Sequence, residues 1–199
     1  MRSSHTSSIR ALLFTAALIA PMAARGAEVT LAHSALERLI WRTVLTEGGR
    51  AYLEGSSTDD CRYAFVQEPR VSGKDGRLHA RFVFSGRAGA TVGERCVGPG
   101  DTFDLVVSGL PALAGGVLYL EDLRVEAPDT AYFRLVRGLV ERELSARLRY
   151  SLVAGLNQVA ATAGAAAGYS VLLDTLELDQ VQVDETALRL SLDIGLSLR

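Results

Sequence analysis

The final thirteen residues of the chain, 187–199, alternate apolar and polar side chains, in the order ALRLSLDIGLSLR. Leucine or isoleucine occupies every even position from Leu188 to Leu198, and the positions between them carry Arg, Ser, Asp or Gly. Because successive side chains of a β-strand point to opposite faces of a sheet, this period of two predicts a strand with one apolar face. Such a strand is about 36 Å long. Its apolar face needs a long apolar partner, which is a protein core, a lipid bilayer or a bound hydrophobic molecule.

A partner of comparable length is predicted over residues 130–161. Apolar residues recur there every four positions, which is typical of one face of an amphipathic helix. They are Val136, Val140, Leu144, Leu148, Leu152 and Leu156. A helix of about 30 residues is about 45 Å long. We therefore expect the terminal strand to wrap this helix as a closing strand.

The rest of the chain supplies a short helix and a run of strands. Residues 33–47 are predicted to be helical, since Ser34 and Glu37 have the spacing of a capping box. From Cys61 to Glu126 the apolar period is mostly two, which predicts an antiparallel meander with short connections. The predicted fold class is α+β, with a curved antiparallel β-sheet wrapped around a long amphipathic α-helix and a short N-terminal helix.

Residues 1–26 have the features of a secretory signal peptide. Arg2 and Arg10 precede or border a short apolar run, which small residues follow. The run is shorter than the roughly 20 apolar residues that span a bilayer, so a retained membrane anchor is the less favoured alternative. The sequence thus predicts a periplasmic protein that is not integral to the membrane. Residues 27–199 are predicted to form a single α+β domain.

Two cysteines, Cys61 and Cys96, are present in the chain. In an oxidising compartment an isolated pair usually forms a disulfide bond, which we expect here. A metal-binding or redox pair is the alternative, but the two residues are far apart in the sequence and no CxxC motif accompanies them.

Composition and motifs argue against several classes of function. The chain carries 21 basic and 23 acidic residues, a formal net charge of −2, and has no basic cluster of the kind that binds nucleic acids. It contains no nucleophile elbow, zinc-protease motif, phosphate loop or dinucleotide fingerprint. We therefore predict no catalytic residues, no metal site and no cofactor, and a protein that is not an enzyme.

The order of predicted elements resembles the tubular lipid-binding superfamily, whose best-known members are the bactericidal permeability-increasing proteins. It is most similar to small single-module periplasmic relatives in bacteria. Residues 34–47, 130–161 and 176–198 carry the resemblance. It implies a curved antiparallel sheet around a long helix, with acyl chains lying between them. The chain departs from the usual small relatives because it has no lipobox cysteine, which puts membrane tethering in doubt.

The predicted function is that of an exported protein that binds a lipid or other hydrophobic ligand in a groove between the long helix and the curved sheet. The candidate lining residues come from the helix stripe and the terminal strand. They are Leu144, Leu148, Leu152, Leu190, Leu192 and Ile194. The alternative is a non-enzymatic structural or protein-interaction module with a fully packed core, whose partner the sequence does not identify.

Overall fold

The computed structural model of the protein describes residues 26–167 and 171–198. Most of these residues lie in β-strands. In chain order the elements are β1 (Ala27–Ala32), α1 (His33–Thr43), β2 (Arg50–Glu54), β3 (Arg62–Lys74), β4 (Arg77–Ala88), β5 (Ala90–Val92), β6 (Arg95–Val97), β7 (Gly100–Ala114), β8 (Val117–Glu126), α2 (Ala131–Arg147), β9 (Tyr150–Ser151), α3 (Leu152–Ala167), β10 (Val171–Val183) and β11 (Ala187–Leu198). Apart from Gly26, the predicted signal peptide lies outside the described residues.

Two antiparallel sheets contain most of the strands. The larger sheet is curled and has six strands in the order β2-β3-β4-β7-β8-β9, and the smaller has the order β1-β11-β10. Adjacent residues have positive φ in two turns of the larger sheet: Asp75 and Gly76 between β3 and β4, and Gly115 and Gly116 between β7 and β8. Tight two-residue hairpins require this geometry. The predicted hairpin turn between β3 and β4 is therefore confirmed.

The long helix predicted over residues 130–161 is divided into two helices. The first helix, α2, ends at Arg147. Tyr150–Ser151 then forms the short strand β9, which pairs with β8, and α3 begins at the next residue. The prediction of one continuous helix is wrong, because the chain leaves the helical conformation to join the edge of the larger sheet.

Local hydrogen bonds stabilise this break in the helix. The backbone carbonyl of Gly116, in the turn before β8, accepts the N–H of Leu152 at 2.9 Å. The side-chain Oγ of Ser151 accepts the N–H of Ala154 at 3.2 Å. Serine is among the preferred residues at a helix N-cap because its oxygen satisfies a free N–H of the first turn. The break is thus also the capped start of α3.

The predicted fold class, a curved sheet wrapped around a long amphipathic helix, is consequently wrong. The four-residue apolar spacing continues through the break, but the residues on its two sides pack in different places. Val136, Val140 and Leu144 of α2 are buried in a first core, whereas Leu152 and Leu156 of α3 pack in a second core. Apolar spacing indicates which side of a helix is buried. It does not indicate whether that side packs against one continuous partner.

The first core lies between α2 and the larger sheet. Phe82 and Phe84 of β4 have no solvent-exposed surface, and Phe84 stacks on Phe103 of β7 with ring centroids 4.8 Å apart. Phe133 of α2 meets the ring of Phe103 edge-on at 5.7 Å. The neighbouring residue Tyr132 is also buried, and this burial raises the pKa of its hydroxyl to about 12. The aromatic rings therefore fix α2 onto the sheet.

The second core contains the apolar face of the terminal strand, β11. Leu188, Leu190 and Leu192 of β11 have no exposed surface, and they pack with Leu36 of α1 and Leu118 of β8. On its two edges β11 pairs with β1 and β10. In the described part of the strand, protein side chains from the larger sheet and from two helices thus cover the apolar face.

Helix α1 begins at His33, as predicted, and ends at Thr43. The predicted capping box does not form, since the N-cap residue is Ala32 and no side chain caps the helix. Instead, Oε1 of Glu37 accepts the backbone N–H of Val71 at 2.9 Å. This bond ties α1 to β3, so the carboxylate stabilises the packing of the helix on the sheet rather than the start of the helix.

The predicted disulfide bond between Cys61 and Cys96 is present, with Cα atoms 5.3 Å apart. Cys61 immediately precedes β3, and Cys96 lies in the small β5–β6 hairpin. The bond therefore attaches this hairpin to the start of the larger sheet. No helix in the described part of the chain is long and apolar enough to cross a membrane.

Candidate functional site

An apolar cleft lies where α1, the larger sheet and the break between α2 and α3 meet. Its cavity volume is about 90 Å³. Binding sites for small molecules are mostly apolar too, but they typically have about 300–1,000 Å³, so this cleft encloses only part of such a ligand. The lining residues are Leu36, Leu39, Ile40, Thr43, Val44, Val71, Leu78, Ala80, Leu118, Tyr119, Leu120, Arg147, Leu148, Arg149 and Tyr150.

One wall of the cleft is a single face of α1. Leu36, Leu39, Ile40 and Thr43 line it, and they are three, four and seven positions apart. These spacings place side chains on one side of an α-helix. Leu36 is buried, but Leu39 and Ile40 are half-buried, so this helix face is covered only in part. The hydroxyl of Thr43 donates to the carbonyl of Leu39 at 2.9 Å and is satisfied within the helix.

The opposite surface comes from alternate residues of β4 and β8, which β7 separates in the larger sheet. Leu78 and Ala80 of β4 point to the same face of the sheet, as do Leu118 and Leu120 of β8, because side chains two residues apart in a strand share a face. Leu78, Ala80 and Leu118 are less than a tenth exposed. These buried side chains therefore form an apolar floor of the cleft.

The cleft lies at the junction of the two cores. Leu36, Leu78 and Leu118 belong to the second core, whereas Val44 and Ala80 belong to the first. Helix α2 packs in the first core and α3 packs in the second, and the chain passes from one core to the other at the break between these helices. The cleft is thus the space that remains where these two separately packed clusters meet.

The polar groups at the cleft are few and differ in how they are satisfied. Nη2 of Arg147 donates to the carbonyl of Tyr52 at 2.8 Å and lies 3.6 Å from a carboxylate oxygen of Glu143. The guanidinium of Arg149, by contrast, lies over the ring of Tyr119, 5.2 Å from its centroid. Arg147 is therefore used to hold α2 against β2, and Arg149 rests on an aromatic face at the cleft.

The tyrosine under Arg149 has a second interaction. Its hydroxyl donates a hydrogen bond to Oε1 of Glu121 at 2.9 Å. This bond raises the pKa of Tyr119 above its usual value, because ionisation would remove the donated proton. The hydrogen bond and the cation–π contact engage different parts of Tyr119, the hydroxyl and the ring face.

No protein-family model and no curated protein matches this sequence. The cleft is therefore interpreted from its own geometry and chemistry. In the described residues, no group of three or more His, Cys, Asp or Glu side chains is arranged to hold a metal ion.

The candidate lining residues from the sequence are distributed over several places. Leu148 lines the cleft. Leu144 is fully buried in the first core, and Leu152, Leu190 and Leu192 are buried together in the second, with Ile194 packed against them. The structure thus brings four of the six together and separates Leu144 from them. A ligand that contacted the buried leucines would have to displace core side chains.

The α1 and β8 residues of the cleft were not among the candidates. A signal for α1 was present, since Leu36, Leu39 and Ile40 share one face of an amphipathic helix in the sequence. That pattern predicts a face turned towards the protein, which is correct. It does not predict that the elements packed against this face leave Leu39 and Ile40 half-buried at the cleft.

Proposed function

We propose that this protein binds a lipid or another hydrophobic ligand in the apolar cleft between α1, the larger sheet and the α2–α3 break. The observation that carries the proposal is the lining of the cleft, in which leucine, isoleucine, valine and alanine predominate and the charged groups are two arginines. A cleft with such an apolar lining favours a ligand that gains more from leaving water than from hydrogen bonds.

The binding energy would come mainly from burial of methylene groups. Each CH₂ removed from water contributes about 0.8 kcal/mol. Burial of about six methylenes would thus contribute about 5 kcal/mol before the loss of translational and rotational freedom is subtracted. An acyl chain long enough to reach from the rim to the floor of the cleft can therefore bind usefully without a specific polar contact.

We also propose that the protein is exported and acts in the periplasm. The disulfide between Cys61 and Cys96 supports an oxidising compartment outside the cytoplasm. The basic and apolar pattern of residues 1–26 supports export, although that segment lies outside the described residues. A relationship to the tubular lipid-binding superfamily is likewise a proposal, supported by the order of a short helix, a meander, a helical segment and two closing strands.

A substitution in the cleft wall tests the proposed function. Leu39 lines the cleft and is half-buried, so Leu39→Arg places a charge in the ligand path without emptying either core. We expect about a tenfold or greater loss of affinity for the neutral fluorescent dye Nile red, because a charge is costly beside a bound apolar molecule. Fluorescence titration measures the affinity, and mass spectrometry of an organic extract of the gently purified protein identifies any lipid retained.

The matched control is Leu135→Arg. Leu135 is a leucine of α2 that is 64% exposed and does not line the cleft, so the same substitution there leaves binding unchanged. The proposal fails if the wild-type protein neither retains lipid nor binds Nile red. That result, together with co-purification of a protein, would favour the alternative of a structural or interaction module.

A further inference from the structure

Two arginines line the cleft, and they differ in their interactions. Arg149 is exposed, lines the cleft, and has a cation–π contact with Tyr119. Among the described residues, no carboxylate lies within ion-pair distance of its guanidinium. Arg149 therefore places a guanidinium group without an ion-pair partner at a mostly apolar cleft, over a tyrosine whose hydroxyl binds Glu121.

The neighbouring arginine differs in this respect. Arg147 also lines the cleft, but its guanidinium is occupied by the Tyr52 carbonyl and by Glu143. The other arginines of α2 also have partners: Arg137, for example, donates to Glu141 at 2.8 Å. The guanidinium groups of these α2 arginines thus have partners within the protein, whereas that of Arg149 has no ion-pair partner among the described residues.

We propose that the cleft takes a single-chain lipid acid, a fatty acid, and that Arg149 binds its carboxylate. This inference rests on the proposed function, since it requires the acyl chain to occupy the cleft. An arginine presents a planar fork of N–H donors that matches the two oxygens of a carboxylate. The chain would lie against Leu39, Ile40 and Leu148, and the charged head would remain at the rim with Arg149.

The position of Arg149 in the chain favours this role. It lies between Leu148 and Tyr150, in the non-helical segment that joins α2 to α3, and its guanidinium rests on Tyr119 of β8. Contact with an aromatic face restricts a long side chain and lowers the entropy that it loses when it binds an anion. The rim therefore presents a partly ordered cation next to an apolar interior.

Competition between a fatty acid and the matching neutral alcohol tests the inference. Palmitate and cetyl alcohol have the same chain length and differ in headgroup charge, and each is measured by displacement of Nile red at neutral pH. We expect the wild-type protein to bind palmitate about tenfold more tightly than cetyl alcohol, as is typical of a charge-assisted hydrogen bond.

Three variants assign that preference to one side chain. Arg149→Gln should bind the two compounds with similar affinity. Arg149→Lys should keep part of the preference for palmitate because it keeps the charge. The control, Arg137→Gln, should behave like the wild type. Circular dichroism verifies that each variant is folded. Equal binding of acid and alcohol by the wild type, or an undiminished preference in Arg149→Gln, would overturn the inference alone. Failure of the wild type to bind Nile red or either compound would instead overturn the proposed function.

Discussion

At the scale of single residues, the two faces of β11 have different surroundings: the leucine face is buried, and the polar face is exposed. Leu188, Leu190 and Leu192 have no exposed surface, whereas Arg189 and Asp193 on the other face are exposed. The buried set touches residues from α1, α3 and the larger sheet. These side chains therefore hold together elements that are far apart in the sequence.

Truncation of one of these leucines should reduce the stability of the whole protein. Leu190→Ala removes fully buried methyl and methylene groups and leaves a cavity, so we expect the free energy of unfolding to fall by about 2–5 kcal/mol. Urea denaturation monitored by circular dichroism measures the change. The control is Leu110→Ala, in a strand residue that is 42% exposed, where the loss should be much smaller. Equal losses in the two variants would contradict the assigned burial.

Residue periodicity predicted burial in this strand, but it did not predict the apolar cleft. Leu148 and Leu152 occupy the same sequence stripe, yet Leu148 lines a cleft and Leu152 is buried in the second core. The difference arises from what lies opposite each side chain, which depends on contacts with β8 and α1. A period of apolar residues contains no information about those distant partners.

At the scale of secondary-structure elements, the break between α2 and α3 decides the architecture. The sequence contained a signal for it, because Ser151 is a favoured N-cap residue and Tyr150 favours strands. Four-residue spacing of leucines on both sides concealed that signal. Strand pairing with β8 then stabilises a conformation that the local helix pattern opposes.

The cap at this break can be tested directly. Ser151→Ala removes the oxygen that accepts the N–H of Ala154, and we expect the free energy of unfolding to fall by about 1 kcal/mol. Ser151→Asp restores an accepting oxygen and should recover most of the loss. The comparison substitution is Ser145→Ala, at an exposed position inside α2, which should be neutral or slightly stabilising. A fall in Ser145→Ala as large as that in Ser151→Ala would exclude a specific capping role.

At the scale of the whole molecule, two cores meet at the cleft, with α2 in one and α3 in the other, and a disulfide attaches the β5–β6 hairpin to the start of β3. The disulfide was predictable from cysteine number and compartment, and the hairpin between β3 and β4 from its turn residues. The split into two cores was not predictable, because it depends on pairing of β9 with β8 and of β11 with β1.

Removal of the disulfide should destabilise the protein without changing its fold. Cys61 and Cys96 are 35 positions apart, and closure of a loop of that length contributes up to about 4 kcal/mol by restricting the unfolded chain. We expect a double variant, Cys61→Ser with Cys96→Ser, to have a lower Tm than the oxidised wild type in calorimetry. Added reductant should lower the Tm of the wild type only. A reductant effect of the same size in the double variant would contradict this interpretation.

The hydrogen bond from Leu152 to the carbonyl of Gly116 also predicts an order of events during folding. Strands β7 and β8 are joined by a tight turn, so their pairing closes a short loop. The contact between residues 116 and 152 closes a much longer loop, and the carbonyl that accepts it belongs to the turn of that hairpin. We therefore expect the N–H of Leu152 to acquire this partner only after the β7–β8 hairpin has formed, so that the hairpin sets where α3 attaches to the sheet.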